Sequence, residues 1–265
     1  NYFYWNINDN FIDIEAVKNA DYIINLAGAN ISSSRWTGKY KKLILESRVK
    51  SAALIFNACK ENNFRPKVYI SASATGYYGT FNSDKIFTEN DPPGNDFLAN
   101  ICKDWEKSAL EFNSLNIRTV ILRFGVVLSL QSIIFQKIYN SVRKNLGAYL
   151  GKGSQYIPWI HIEDLAEIVK FSILNENLIG IFNCVSPHQI TNKDLTQTIA
   201  KKINKKIRLP NIPAFILKIA FGEMASILLY GSKISSEKII NHGFKYKFNE
   251  IDITVDKILN SNNNK

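Results

Sequence analysis

The sequence predicts an α/β fold, a doubly wound parallel sheet with crossover helices, followed by a small and mostly helical C-terminal subdomain. Three observations lead there. Strand-like and helix-like segments alternate as far as residue 208, the mark of a parallel sheet. The apolar run Asp21-Tyr-Ile-Ile-Asn-Leu-Ala-Gly28 ends on small residues, as a buried strand does where its backbone lies flat against a ligand. Beyond Leu209-Pro210 the pattern breaks into short helical pieces separated by Gly222, Gly231 and Gly243. Domains are therefore expected over 1–208 and 209–260.

The elements follow in chain order. Tyr2–Trp5 reads as a strand, Phe11–Asn19 as a short helix or turn, and Asp21–Asn25 as a strand. From Trp36 to about Asn62 a helical stripe runs through Leu43, Leu45, Val49, Ala52, Ala53 and Phe56. Lys67–Ser71 is the next strand. Asp96–Leu115 is helical, with Phe97, Ile101, Trp105 and Leu110 on one face and Asn95 or Asp96 as its cap. Arg118–Phe124 is a strand, Glu163–Leu174 a helix and Gly180–Val185 a strand. Thr191–Lys202 is a helix whose Thr191 and Asp194 are spaced for a capping box. Helical pieces follow at Pro213–Phe221, Glu223–Leu229, Ser235–Asn241 and Glu250–Leu259, and the polar tail Asn260–Lys265 is expected to fray.

Composition removes several classes. No apolar stretch reaches the ~18 residues of a membrane span; no signal peptide is visible, and a truncated N-terminus leaves that class open. Cys59, Cys102 and Cys184 lack metal-ligand spacing and suit buried thiols in a reducing cytoplasm. The net charge of +10 is mostly scattered lysine, 26 Lys against 7 Arg, which describes a solvated surface rather than a nucleic-acid footprint. Its densest cluster, Lys201, Lys202, Lys205 and Lys206, falls at a helix end, where cations complement the dipole. The expected partner is a small-molecule substrate, with no nucleic acid and no membrane, and with room for a homodimer.

In open parallel sheets, ligands bind at the carboxyl ends of strands. Four such ends are expected to converge: Asn25–Asn30, Ser71–Gly79, Arg123–Leu128 and Val185–His188. The segment Ser71-Ala-Ser-Ala-Thr-Gly-Tyr-Tyr-Gly79 sets hydroxyls just beyond a strand, and Ser73 is the candidate ligand for a substrate carbonyl or hydroxyl; the alternative is a serine-capped polar turn.

These segments, with Leu122-Arg-Phe-Gly-Val-Val-Leu128 and Pro158-Trp-Ile-His-Ile-Glu-Asp-Leu165, resemble the extended short-chain dehydrogenase/reductase family in order and spacing. Arg35-Trp36-Thr37, Glu46-Ser47-Arg48, Asp104-Trp105-Glu106, the Gly151–Trp159 stretch and Phe221-Gly-Glu-Met224 narrow the resemblance to the YfcH-type epimerase family proteins, across nearly the whole chain. The resemblance implies a Rossmann-type fold that binds NADP(H), with NAD left open. It also implies epimerase or reductase chemistry on a small hydroxyl or carbonyl compound, a nucleotide sugar among the candidates. Leu26, Ala27 and Gly28 would then lie along the cofactor, with Arg48 and Val127 near its ribose or nicotinamide end. The C-terminal domain has an uncharacterised role.

Two departures from the wider superfamily stand out. No G-x-x-G-x-x-G turn occurs, the chain begins at Asn1, and the only methionine is Met224. The expectation is a fragment whose first βαβ unit, roughly 40 residues, is missing. Further, the Tyr-x-x-x-Lys slots on the helix near residue 100 hold Leu98 and Cys102, neither of which can act as the acid–base pair. That absence supports a rival reading, a non-catalytic NADP(H)-binding sensor or scaffold; the pocket frame of Ser73, Arg123 and His161 supports the enzyme. The resemblance implies that Arg48 stands where extended members carry an Asn beside the cofactor, and an Arg there could hold a phosphate or carboxylate in a bidentate contact; the alternative, a surface bridge to Glu46, would join i,i+2 residues on different helix faces. Tyr78 and His161 read as structural, Asp164 as a helix-start charge, and Trp36 and Trp159 as pocket walls or core.

Overall fold

The computed structural model describes residues 2–260, so all but the first residue of the polar tail lies outside the described residues. The chain forms two compact units that are not consecutive along it: 1–79, 92–123 and 169–182 make the first, and 80–91, 124–168 and 183–265 the second. The division expected at 208/209 is not where these units part. The chain beyond 209 shares the second unit with strands and helices from the middle of the sequence.

The first unit carries a four-stranded sheet. In chain order its elements are β1 (Tyr22–Asn25), α1 (Gly38–Glu61), β2 (Val68–Ala74), α2 (Phe97–Leu110), β3 (Arg118–Phe124) and β4 (Gly180–Cys184). The order across the sheet is β4-β3-β2-β1, and β1 pairs parallel with β2, Tyr22 opposite Val68 and Asn25 opposite Ser71. Strand β1 is thus an edge. β2 and β3 are buried along almost their whole length, which explains their near-continuous apolar runs. α1 starts where Thr37 accepts the Tyr40 amide, and α2 where Asp96 accepts that of Ala99.

Packing shifts the helix faces from those expected. Leu43 is 49% exposed while Ile44 is fully buried, so the seam of α1 runs through Ile44, Ala52, Ile55, Ala58 and Cys59. Leu110 of α2 is likewise exposed. The core beneath them is centred on Tyr69, whose ring stacks on Phe112 at 3.6 Å. Arg118 closes the far end of β3: its guanidinium donates to the carbonyls of Ser172, Ile173, Asn175 and Leu178. Those carbonyls lie at and just beyond a helix end, where the last carbonyls have no intrahelical partner.

Near the N-terminus the expected strand Tyr2–Trp5 shrinks to Trp5–Asn6, paired antiparallel with Phe11–Ile12. The helix expected from Phe11 begins only at Ile14, after Asp13 accepts the Glu15 amide.

The second unit holds elements that sequence pattern did not reveal. Helix Ile133–Arg143 is capped by Ser132 and packs Phe135 among Leu128, Trp159, Leu195, Ile199 and Val255. Strand Val126–Leu128 pairs parallel with Trp159–His161, and Ser83–Phe87 with Ser232–Ile234. Helix Asn192–Lys202 has the expected capping box of Thr191 and Asp194. Lys202 in its last turn pairs with Asp252 and Asp256.

Candidate functional site

The carboxyl ends of β1 and β2 carry the candidate residues of the first unit. Asn25 closes β1 from inside: it is buried, donates to Tyr69 Oη at 2.9 Å and to Ser51 Oγ at 3.3 Å, and accepts the Ala27 amide at 3.1 Å. That last bond ties the chain to the strand end as it leaves the sheet. Leu26 is 60% exposed, Gly28 is exposed, and Ala27 is half-buried.

Arg48 reaches this segment from α1. Its Nη1 donates to the carbonyls of Ala29 (3.1 Å) and Ile44 (2.8 Å), and its Cζ lies 4.8 Å from the centre of the Trp105 ring. Burial pulls the guanidinium below its ordinary pKa. Glu46 bridges Lys42 and Lys50 instead, as helix-face geometry requires.

Ser73 is placed differently from its expected role. It is 2% exposed and its hydroxyl donates to Glu106 Oε1 at 2.6 Å, so it presents no donor to a substrate. Its place is in a buried network. Arg123 grips Glu106 through Nε and Nη2, both at 2.8 Å, and donates from Nη1 to Tyr78 Oη at 2.9 Å. The Tyr77 ring lies over the guanidinium, 3.4 Å from Cζ. Burial alone would pull Arg123 down, but the Glu106 carboxylate and the Tyr78 hydroxyl outweigh it and hold the guanidinium above its usual range. Two members of the expected pocket frame, Ser73 and Arg123, are thus internal bracing. Glu106 is the residue that sequence reasoning missed, although an acid on the apolar face of α2 beside Trp105 was a legible signal.

Just beyond this strand Thr75, half-buried, opens the 3₁₀ turn Thr75–Tyr78. This turn packs on α2: a Cβ on Gly76 would stand 3.4 Å from Leu98 Cβ and 3.8 Å from Cys102 Sγ. Gly94 locks the turn by donating to the Tyr77 carbonyl, and a Cβ there would meet Gly79 Cα at 2.7 Å. Burial, with the Glu106 charge adding, pushes the Cys102 thiol up to about 12, so position 102 holds a neutral group. Burial likewise raises Cys59 to about 11 and carries Cys184 well above its ordinary value. All three thiols are buried. A thiol reagent at pH 8 is accordingly expected to label none of them in the native protein and all three after denaturation; rapid native labelling of Cys102 would contradict the burial.

In the second unit, His161 is 3% exposed, with its ring 4.0 Å from that of Phe248 and its Nδ1 accepting the Glu163 amide. Burial lowers its pKa. Asp164 stands with Glu163 in the first turn of the helix Ile162–Leu174, as expected of a helix-start charge, and its carboxylate also accepts the amides of Lys247 and Phe248. Trp159 is core, its Nε1 donating to the His188 carbonyl, whereas Trp36, in the first unit, is half-buried and meets Phe97 edge-on. Val127, half-buried on its strand, belongs to this second unit. Among the described residues no set of three or more His, Cys, Asp or Glu could hold a metal ion, and no helix is long and apolar enough to cross a membrane.

A parallel sheet with crossover helices, its ligand side at the carboxyl ends of the strands, places the fold in the Rossmann-type class. Within it, this chain belongs to the NAD dependent epimerase/dehydratase family, which matches residues 4–185, and a domain of unknown function, DUF1731, matches 212–258. The epimerase family protein ML0860 of Mycobacterium leprae is 32% identical over 249 residues, 94% of this chain and 80% of the relative. A crystal structure of the human epimerase family protein SDR39U1 (isoform 2) with NADPH superposes with a TM-score of 0.84 at 27% identity, covering 93% of this chain and 86% of that one. UDP-glucose 4-epimerase of Thermus thermophilus, in complex with NAD, shares the fold at 21% identity and a TM-score of 0.71, over 92% and 81% of the two chains.

Proposed function

We propose that this protein binds NADP(H) at the carboxyl end of β1 and performs epimerase- or reductase-type chemistry on a small hydroxyl or carbonyl compound, with nucleotide sugars the first class to try. The observation that carries it is the pairing of an open Leu26–Gly28 backbone with a half-buried Arg48 that no carboxylate pairs with among the described residues. These residues fit a dinucleotide, since a bare backbone admits close approach and a guanidinium matches phosphate oxygens. The cofactor, when bound, supplies the hydride chemistry. Leu26, Ala27, Gly28 and Arg48 are the holding residues, and Val127 is a separate candidate in the second unit. Thr75 takes over from Ser73 as the hydroxyl proposed to bond a substrate oxygen. The solved NADPH complex of human SDR39U1, at 27% identity, supports the cofactor choice, and NAD stays open.

One observation favours a non-catalytic sensor instead. Position 102 holds a neutral thiol and position 98 an aliphatic side chain, so α2 offers no proton-transfer pair. Calorimetry of the protein as its gene encodes it, titrated with NADPH and NADH, is expected to give saturable binding. No binding of either up to about 1 mM, the threshold of weak recognition, defeats the nucleotide-binding reading. Binding without turnover across a panel of nucleotide sugars and small carbonyl compounds favours the sensor.

A further inference from the structure

A Cβ built on Gly28 would stand 2.9 Å from Arg48 Cζ and 3.1 and 3.2 Å from its two Nη atoms. Gly28 is not among the glycines with positive φ, so its backbone does not require glycine. The space it leaves is filled by the guanidinium. That guanidinium lies over Trp105, whose Nε1 is buried with no hydrogen-bond partner, and its Nη1 is taken by two carbonyls. Among the described residues, Nε and Nη2 donate to no acceptor. A cation drawn partly out of water, with an unfilled donor edge and no carboxylate, suits an oxyanion.

We propose that Gly28 and Arg48 act as one device: the glycine seats the guanidinium, and the Nε–Nη2 edge takes a phosphate oxygen of the dinucleotide. The proposal rests on the nucleotide-binding reading above and adds to it the group recognised and the reason for the glycine. Two phosphates offer this chemistry, the pyrophosphate common to NADH and NADPH and the 2′-phosphate of NADPH alone.

The test is calorimetric titration of the full-length protein with NADPH and NADH, for wild type, Gly28→Ala, Arg48→Ala, Arg48→Met and Gly28→Ala/Arg48→Ala. Arg48→Met keeps the aliphatic stem on Trp105, guarding against a folding defect. Both Arg48 variants are expected to weaken NADPH about 10-fold or more, the scale of a charge-assisted bond. Gly28→Ala should weaken it comparably, because the flexible guanidinium is what gives way to the new methyl. The double variant should be no weaker than Arg48→Ala, since neighbours sharing one interaction do not add. An equal loss for NADH assigns the pyrophosphate, and a loss confined to NADPH assigns the 2′-phosphate. Additive effects, or Arg48→Met binding like wild type, overturn the device while leaving nucleotide binding intact. If wild type binds neither dinucleotide, the underlying reading fails and this proposal with it.

Discussion

Glu106→Gln is expected to lower the melting temperature of the protein by about 10 °C, the consequence of losing ~3–5 kcal/mol when one partner of a buried ion pair is removed. The substitution keeps shape and volume, so the effect isolates charge. Arg123 is 1% exposed and makes its charge-matched contacts with Glu106 alone. With Gln at 106 its guanidinium stays buried and uncompensated, and Ser73 loses its acceptor carboxylate. Ser73→Ala should cost less, ~1.5–3 kcal/mol, because it removes one hydrogen bond to a charged group and leaves the ion pair whole. Glu106→Gln/Arg123→Met, which removes both charges, should melt above Glu106→Gln alone. Thermal unfolding followed by circular dichroism decides it. A Glu106→Gln protein that melts with wild type would show that the pair carries no weight.

The chain is expected to self-associate through β1. This strand is the edge of its sheet and presents unpaired backbone groups beside exposed apolar side chains: Tyr22 is 42% and Ile24 41% exposed. Leu26 at 60% exposure and Phe3, Tyr4 and Phe11 nearby in the same unit extend the apolar surface. A second copy can add its own β1 to that edge, and natural sheets guard such edges with charge. Ile24→Lys should therefore raise the monomer fraction in sedimentation or light scattering severalfold. A wild-type chain that is monomeric at ~100 µM, within the concentrations at which exposed edges aggregate, would sink the expectation.

Much of the fold was legible because its signals are local. Arg118–Phe124 is a strand at the expected residues, and Thr191 with Asp194 caps its helix as their spacing implied. An uninterrupted apolar run and a three-residue cap spacing each encode their structure within a few residues. The strand Ser83–Phe87 carries no such signal. Ser-Asp-Lys-Ile-Phe is half polar, and only pairing with Ser232–Ile234 makes it a strand. Helix Ile133–Arg143 begins Ile-Ile-Phe, a β-prone run that its Ser132 cap and its packing overrule.

The site divides in the same way. The sequence by itself determined the parallel sheet, the strand end at Asn25–Gly28, the absence of an acid–base pair at positions 98 and 102, and the assignment of Arg48 away from Glu46. The sheet and its strand end follow from residue type and period and the Arg48 assignment from i,i+2 geometry, whereas positions 98 and 102 are picked out by the family resemblance. Only the tertiary structure decided that Ser73 points inward to Glu106, that Arg123 braces the core, and that Gly28 is small for the sake of Arg48. Those contacts join residues 17 to 33 positions apart. Which way a hydroxyl or a guanidinium turns is set by the acceptors and voids that folding brings to it, and neither exists along the unfolded chain.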